Sequence, residues 1–237
     1  MRWRGVALLL PLALLLAGCP TRTRQPSAPP TPEPVQPLPS GEGRPYDIAT
    51  GESLLTIQVY RGGTLARVGH NHVIASHELT GEVLLNRDIV LSSFKVQFPV
   101  ATLTVDEPEL REQAGSEFPP GVPDSAKEGT KKNLLGEGLL NAAQYPTITL
   151  VSTALESPET GALSAQVQVT VRDQTRMIPV AFHYELSDGQ LRATGEMHLK
   201  QSDLGLKPFS VMMGALEVKD DMQLRFSIVA RPRTAAQ

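Results

Sequence analysis

The chain has 237 residues, a formal net charge of −3 and 41% hydrophobic residues. From Tyr46 onward it holds 17 basic and 23 acidic residues, a formal −6, and no stripe of Lys or Arg, which argues against nucleic acid as a partner. Its single cysteine, Cys19, excludes a disulfide within the chain.

Arg2 and Arg4 precede an apolar run, Val6 to Leu16, interrupted only by Pro11. The run is too short to span a bilayer and ends in small residues, so residues 1–18 read as a signal peptide. Leu16-Ala17-Gly18-Cys19 resembles the processing box of bacterial lipoproteins. That match implies cleavage before Cys19 and acylation of its sulfur, with the membrane as a partner through the lipid. Buried methylenes contribute roughly 0.8 kcal/mol each, so several acyl chains form a lasting anchor. Pro20 follows the cysteine where an Asp would favour the inner membrane. The expected location is therefore the periplasm-facing envelope, on the outer membrane rather than the inner. Residues 20–45 hold nine of the twenty prolines. With Cys19 they read as a lipidated, semi-extended tether. In polyproline II, at about 3.1 Å per residue, its reach is at most about 80 Å.

Residues 46–230 read as one domain and 231–237 as a tail. Residues 53–60 alternate apolar and polar and predict a strand, broken by Arg61-Gly62-Gly63. An extended run, Leu65 to Ile74, follows, then Glu78 to Leu85 with Gly81 as a bulge or bend. Phe94, Val96 and Phe98 alternate in a strand that reaches about Val105, with Pro99 marking an edge or bulge. Asp106 to Ala114 predicts a short helix with Asp106 as its N-cap and Pro108 in its first turn. Phe118 to Pro123 is a loop. A second helix is expected from Asp124 or Ser125 to about Ala143, in two pieces because of Gly129, Gly136 and Gly138. Thr147 to Thr153 is a strand. Three alternating runs follow between Gly161 and Lys200, with turns at Arg172-Asp173-Gln174-Thr175 and Ser187-Asp188-Gly189. A loop from Gln201 to Gly214 leads to a last strand, Leu216 to Ala230.

The count is about eight strands, most with one apolar face. The fold class is all-β with a helical insertion. Such a sheet tends to close on itself and remove its edges, giving an antiparallel barrel whose bore is packed or holds one slender ligand. A two-sheet sandwich has the same periodicity.

Three segments, in this order, resemble the YceI-like family. Asn133-Leu134-Leu135-Gly136 through Tyr145-Pro146-Thr147-Ile148-Thr149-Leu150-Val151-Ser152 is similar to its helix-to-strand passage. Val169-Thr170-Val171-Arg172-Asp173-Gln174-Thr175-Arg176 is similar to its hairpin, and Ser202-Asp203-Leu204-Gly205 to its Ser-Asp-Phe-Gly turn. The resemblance implies a lipocalin-like antiparallel barrel whose bore takes a polyisoprenoid chain, such as an isoprenoid quinone tail, in the periplasm. The chain departs from the family pattern at Asp173 (usually Gly) and Leu150 (usually Phe). A longer insertion at 106–130 and Gly69-His70-Asn71-His72 in place of His-Leu-Gly are further departures.

Alternation assigns Phe94, Val96, Phe98, Leu150, Val167, Val169, Phe182, Met197, Leu224 and Phe226 to the inward face, as core or as bore lining. On a strand His70 and His72 point the same way. They order the barrel mouth, meet a ligand headgroup, or supply two ligands to a metal. The metal reading needs a third ligand from His77, His183, His198, Met212 or Met213. Met212 and Met213 are expected to line the bore entrance. There is no Gly-x-Ser-x-Gly elbow, phosphate loop or zinc-protease motif, so the chain reads as a binding protein rather than an enzyme. Beyond the N-terminal lipid, the implied cofactor is a bound isoprenoid lipid or quinone. The alternative is a metal-binding or structural envelope module with a closed core. Oligomeric state is not legible.

Overall fold

The computed structural model describes residues 43–234, so Cys19, the signal peptide and most of the tether lie outside the described residues. Among the described residues, twelve strands join one sheet. They are β1 (Arg44–Ile48), β2 (Leu54–Gly62), β3 (His72–Ser76), β4 (Thr80–Leu85), β5 (Ser93–Pro99), β6 (Thr104–Val105), β7 (Thr147–Glu159), β8 (Ala162–Val171), β9 (Gln174–Ser187), β10 (Gln190–Lys200), β11 (Ser210–Val211) and β12 (Leu216–Pro232). The insertion carries α1 (Pro108–Ala114) and α2 (Asp124–Leu135).

The pairings β1-β4-β5-β7-β8-β9-β10-β12 form a ring, because β12 returns to β1 through Tyr46–Pro232 and Ile48–Ala230. Just before that contact β12 pairs with β2, from Ser227–Leu54 to Glu217–Gly62. β1 and β2 are thus two halves of one barrel strand, broken by a tight turn at Thr50–Glu52. The same relation joins β4 to β3, since β4 pairs with β1 and β3 with β2. It also joins β5 to β6, across a turn at Val100–Thr102. Counting each broken pair once, eight antiparallel strands close a barrel and leave no edge along most of its length.

The breaks have local causes. Gly81 has φ of +141°, and a Cβ there would lie 2.0 Å from the Lys95 carbonyl oxygen, so the bend at the start of β4 needs glycine. Pro99 ends β5, consistent with its missing N–H. The β9–β10 hairpin turns through Asp188 and Gly189, both at positive φ (52° and 74°), the geometry of a two-residue loop.

Four expectations change. Of Leu65 to Ile74 only the end is strand: residues 63–71 form a loop with one helical turn at Ala66–Val68, and β3 begins at His72. The residue at the N-cap position of α1 is Glu107, not Asp106, and its side chain makes no capping hydrogen bond. α2 stops at Leu135, before Gly136, and the chain continues to Pro146 as turns. β1 itself was hidden, because Arg44 and Pro45 extend the proline-rich composition.

The main core fills the barrel with Ala165, Val167, Val171, Phe98, Val100 and Met222 among others. A smaller cluster, Val73, Ala75, Leu110 and Phe118, seats α1 on the outer side of β3. Among the described residues, ring, core and helices all fall within residues 44–232, one contiguous segment with its own hydrophobic core, as in a domain that folds as a unit.

Candidate functional site

Period-two alternation sends every second side chain of β5, β7, β8, β9, β10 and β12 into the bore. Two cavities lie there. The upper one, beneath α2, encloses about 400 Å³ between Ile57, Ile74, Phe98, Leu139, Ile148 and Val171. That is within the roughly 300–1,000 Å³ typical of small-molecule sites. The lower one encloses about 130 Å³, close to the roughly 150 Å³ that stays dry and accepts benzene in other proteins. Its wall includes Phe94, Val96, Leu150, Val167, Phe182 and Phe226. Phe182 stands edge-on to both Phe94 and Phe226, with ring centroids 6.1 and 6.4 Å apart.

All ten residues assigned inward face the interior. Phe98 lines the upper cavity and six line the lower. Val169, Leu224 and Met197 line neither and belong to the core. On β12, Leu224 falls between Met222 above and Phe226 below. On β8, Val169 falls between Val171 and Val167. Met197 pairs with Leu224. These three side chains form a septum across the bore.

The upper cavity has a polar corner at His72, apart from Gln201, whose amide donates to the Lys219 carbonyl at 2.8 Å. His72 opens β3, and Asp106 follows β6, its strand neighbour. Asp106 sits at φ +57°, which turns the chain from β6 towards α1. Its Oδ1 accepts from the Val73 N–H at 3.0 Å, and its Oδ2 lies 2.6 Å from His72 Nδ1. Arg111 of α1 donates to Asp106 Oδ1 at 2.5 Å and to the carbonyls of Asn71 and Pro119, each at 2.7 Å. Asp106 is 1% exposed and Arg111 2%. Burial pushes the Asp106 carboxyl up, but the hydrogen bonds from His72, Val73 and Arg111 outweigh it and hold the group below the usual carboxylate range. The ionised carboxylate accepts only, so Nδ1 of His72 carries the proton. The other ring nitrogen, Nε2, lies 3.2 Å from the Thr130 hydroxyl on α2. His72 and Thr130 both line the upper cavity.

His70 lies on the rim, exposed, its ring 6.1 Å from that of His72. Asn71, between them, locks the loop: its Oδ1 accepts from the Arg61 N–H and its Nδ2 donates to the Glu117 carbonyl, both at 3.0 Å. His77 pairs with Glu107 on the surface at 2.9 Å. His183 and His198 sit exposed on the outer faces of β9 and β10, so neither joins His72. Met212 and Met213 stand in the loop at the bore entrance, but their side chains do not line the cavity; they are 66% and 106% exposed. Among the described residues no three His, Cys, Asp or Glu side chains converge as metal ligands. Asp106, Arg111 and Thr130 belong to this candidate corner and were not legible as such in the sequence. The nearest signal was an acid and a base five positions apart in a short amphipathic stretch.

A closed eight-stranded antiparallel barrel with a mainly apolar bore defines a lipocalin-like β-barrel protein. Residues 46–230 match the YceI-like domain, and the chain belongs to the YceI-like family. In fold it is similar to BcnA of Burkholderia cenocepacia, at 13% identity and a TM-score of 0.56 over 77% of this chain and 98% of that one. It is similar also to a polyisoprenoid binding domain from Saccharophagus degradans implicated in plant cell wall breakdown, at 10% identity and a TM-score of 0.53 over 79% and 98%. Among curated proteins none matches this sequence.

Proposed function

We propose that this protein is an envelope lipoprotein that binds an amphiphile with a long isoprenoid tail, a polyisoprenoid or isoprenoid quinone. The tail lies in the upper cavity, and the polar end meets His72, Thr130 and the rim residue His70. The observation that carries the reading is a mainly apolar cavity of about 400 Å³ with a buried polar corner at His72. Apolar burial at about 25 cal/mol per Å² binds a tail without polar contacts, and the corner orients its head. The polyisoprenoid binding domain of similar fold supports the choice of ligand, and the processing box at Cys19 supports the anchor.

The Asp106–His72–Thr130 line has the order of a hydrolytic triad, but its place in the fold favours binding. Thr130 lies inside α2, where the neighbouring backbone N–H groups are committed to the helix and do not form an oxyanion hole.

Native mass spectrometry tests the proposal on residues 43–237, secreted without Cys19 and purified gently. The expected result is a bound species that organic solvent removes and that fragments as a prenyl chain. A protein that stays apo after incubation with isoprenoid quinones and prenols overturns the reading.

A further inference from the structure

We propose that the rim of the upper cavity is a membrane-docking surface that seats the open end of the barrel in a lipid bilayer; the inference rests on the reading of the bore as a lipid site.

Two loops, 63–71 and 205–215, bound the open end of the cavity, which Gly69, His70, Leu206, Phe209 and Val211 line. They are fastened together. The Leu65 N–H donates to the Ala215 carbonyl at 2.7 Å. A Cβ on Gly63 would lie 2.5 Å from the carbonyl oxygens of Gly214 and Ala215, so the backbones pass with no space between them. On this joined rim Val68 is 64% exposed, Val211 37%, Met212 66% and Met213 106%. The described residues include seven large exposed apolar side chains, the others being Leu91, Met177 and Leu186. Four of seven therefore gather at one end of the barrel, around the entrance to its larger cavity.

The backbone holds them out. Met212 and Met213 are consecutive residues at φ 53° and 56°, a left-handed conformation that bulky side chains rarely adopt. The turn is closed by the Ala215 N–H on the Met212 carbonyl at 3.2 Å, and just beyond it the Val218 N–H bonds the Phe209 carbonyl at 2.9 Å. Both thioether side chains thus point away from the bore. Unbranched and polarizable, methionine adapts to an irregular apolar medium.

The occupant to which these features point is a bilayer. The patch continues directly into an apolar bore, so a lipid tail passing between membrane and cavity stays out of water. Exposed basic side chains stand on the two rim loops (Arg67 beside Val68, Lys207 in the facing loop), with Glu217 as the acidic side chain that lines the cavity. Basic side chains beside apolar ones match anionic headgroups above hydrocarbon. The acyl anchor proposed at Cys19 would hold the chain to a bilayer, where a raised effective concentration lets a small patch engage.

The chain's one tryptophan is Trp3, so residues 43–237 have none. Single tryptophans are placed by Met213→Trp on the rim and by Leu186→Trp at the opposite end of β9. Each variant is mixed with phosphatidylethanolamine–phosphatidylglycerol vesicles. The expected result is a blue shift and enhanced emission for the rim probe and none for the other. The otherwise unchanged segment sediments with vesicles, and Met212→Asn with Met213→Asn lowers the bound fraction at least about tenfold at an unchanged melting temperature, since Asn tolerates the left-handed backbone. Equal shifts at both probes, no sedimentation, or an Asn pair that binds as well overturns the proposal. So does a rim-dependent dimer without vesicle binding. If docking fails while the segment still carries a prenyl lipid, the docking proposal falls and the ligand reading stands. Docking by a segment that takes up no prenyl lipid does the reverse.

Discussion

His72 Nδ1 lies 2.6 Å from Asp106 Oδ2, although 34 positions separate the two residues. The contact fixes the ring's tautomer and anchors the corner of the cavity. Asp106→Asn keeps the shape but replaces an acceptor-only oxygen with an NH₂ that faces donors. Arg111 is then left buried with an uncompensated charge. Breaking a buried pair in this way costs about 3–5 kcal/mol, and urea unfolding of the wild type and the Asn variant measures it. A loss under about 1 kcal/mol would show that the corner contributes little to the fold.

The same carboxyl predicts a pH dependence. Its folded value lies below the ordinary one, so on acidification the unfolded chain takes up the proton first. Asp106 therefore stabilises the fold fully above the unfolded value of about 3.9, and that contribution drains away as pH falls through the folded value. Asp47, Glu196 and Asp220 are lowered too, by surface partners. The informative quantity is the difference between wild type and Asp106→Asn in melting temperature from pH 7 to pH 2. The gap is expected to narrow as pH drops below about 4; a gap independent of pH counts against the ionised corner.

The barrel was legible because one face of each long strand is apolar: the alternation along β8, β9, β10 and β12 names the inward residues directly. The polar corner was not. Asp106, followed by Glu107 and Pro108, has the local pattern of a helix cap, and no neighbour in sequence shows its carboxylate reaching β3. That contact follows from the β3–β6 register, which pairs Ile74 with Val105. Arg111 reads as an exposed helix charge until the Phe118–Pro119 loop covers it. β1 is five residues long, and its closing partner, β12, lies at the far end of the chain. Met212 and Met213 suited an entrance by chemistry, and only the left-handed backbone turns them outward.

The proposed anchor is tested at Cys19. Cys19→Ala removes the sulfur that acylation requires, and position 19 lies outside β1 to β12, which run from Arg44 to Pro232. The variant is expected in the soluble envelope fraction without palmitate label, while the wild type is labelled and sediments with membranes. An unlabelled wild type overturns the lipoprotein reading and leaves the barrel chemistry as it stands.

A tail bound in the upper cavity is expected to end at the septum. Met197 stands beside Leu224, between a cavity of about 400 Å³ and one of about 130 Å³. Met197→Ala removes the most flexible of the three separating side chains and opens the upper space towards Phe182 and Phe226. The truncation costs about 2 kcal/mol, the low end for a partly buried methionine. If the tail ends at the septum, the variant retains longer prenyl chains than the wild type when both are offered a mixed-length set and analysed by mass spectrometry. An unchanged length distribution with the expected loss of stability means that the tail stops short of Met197, and the lower cavity is then packing space alone.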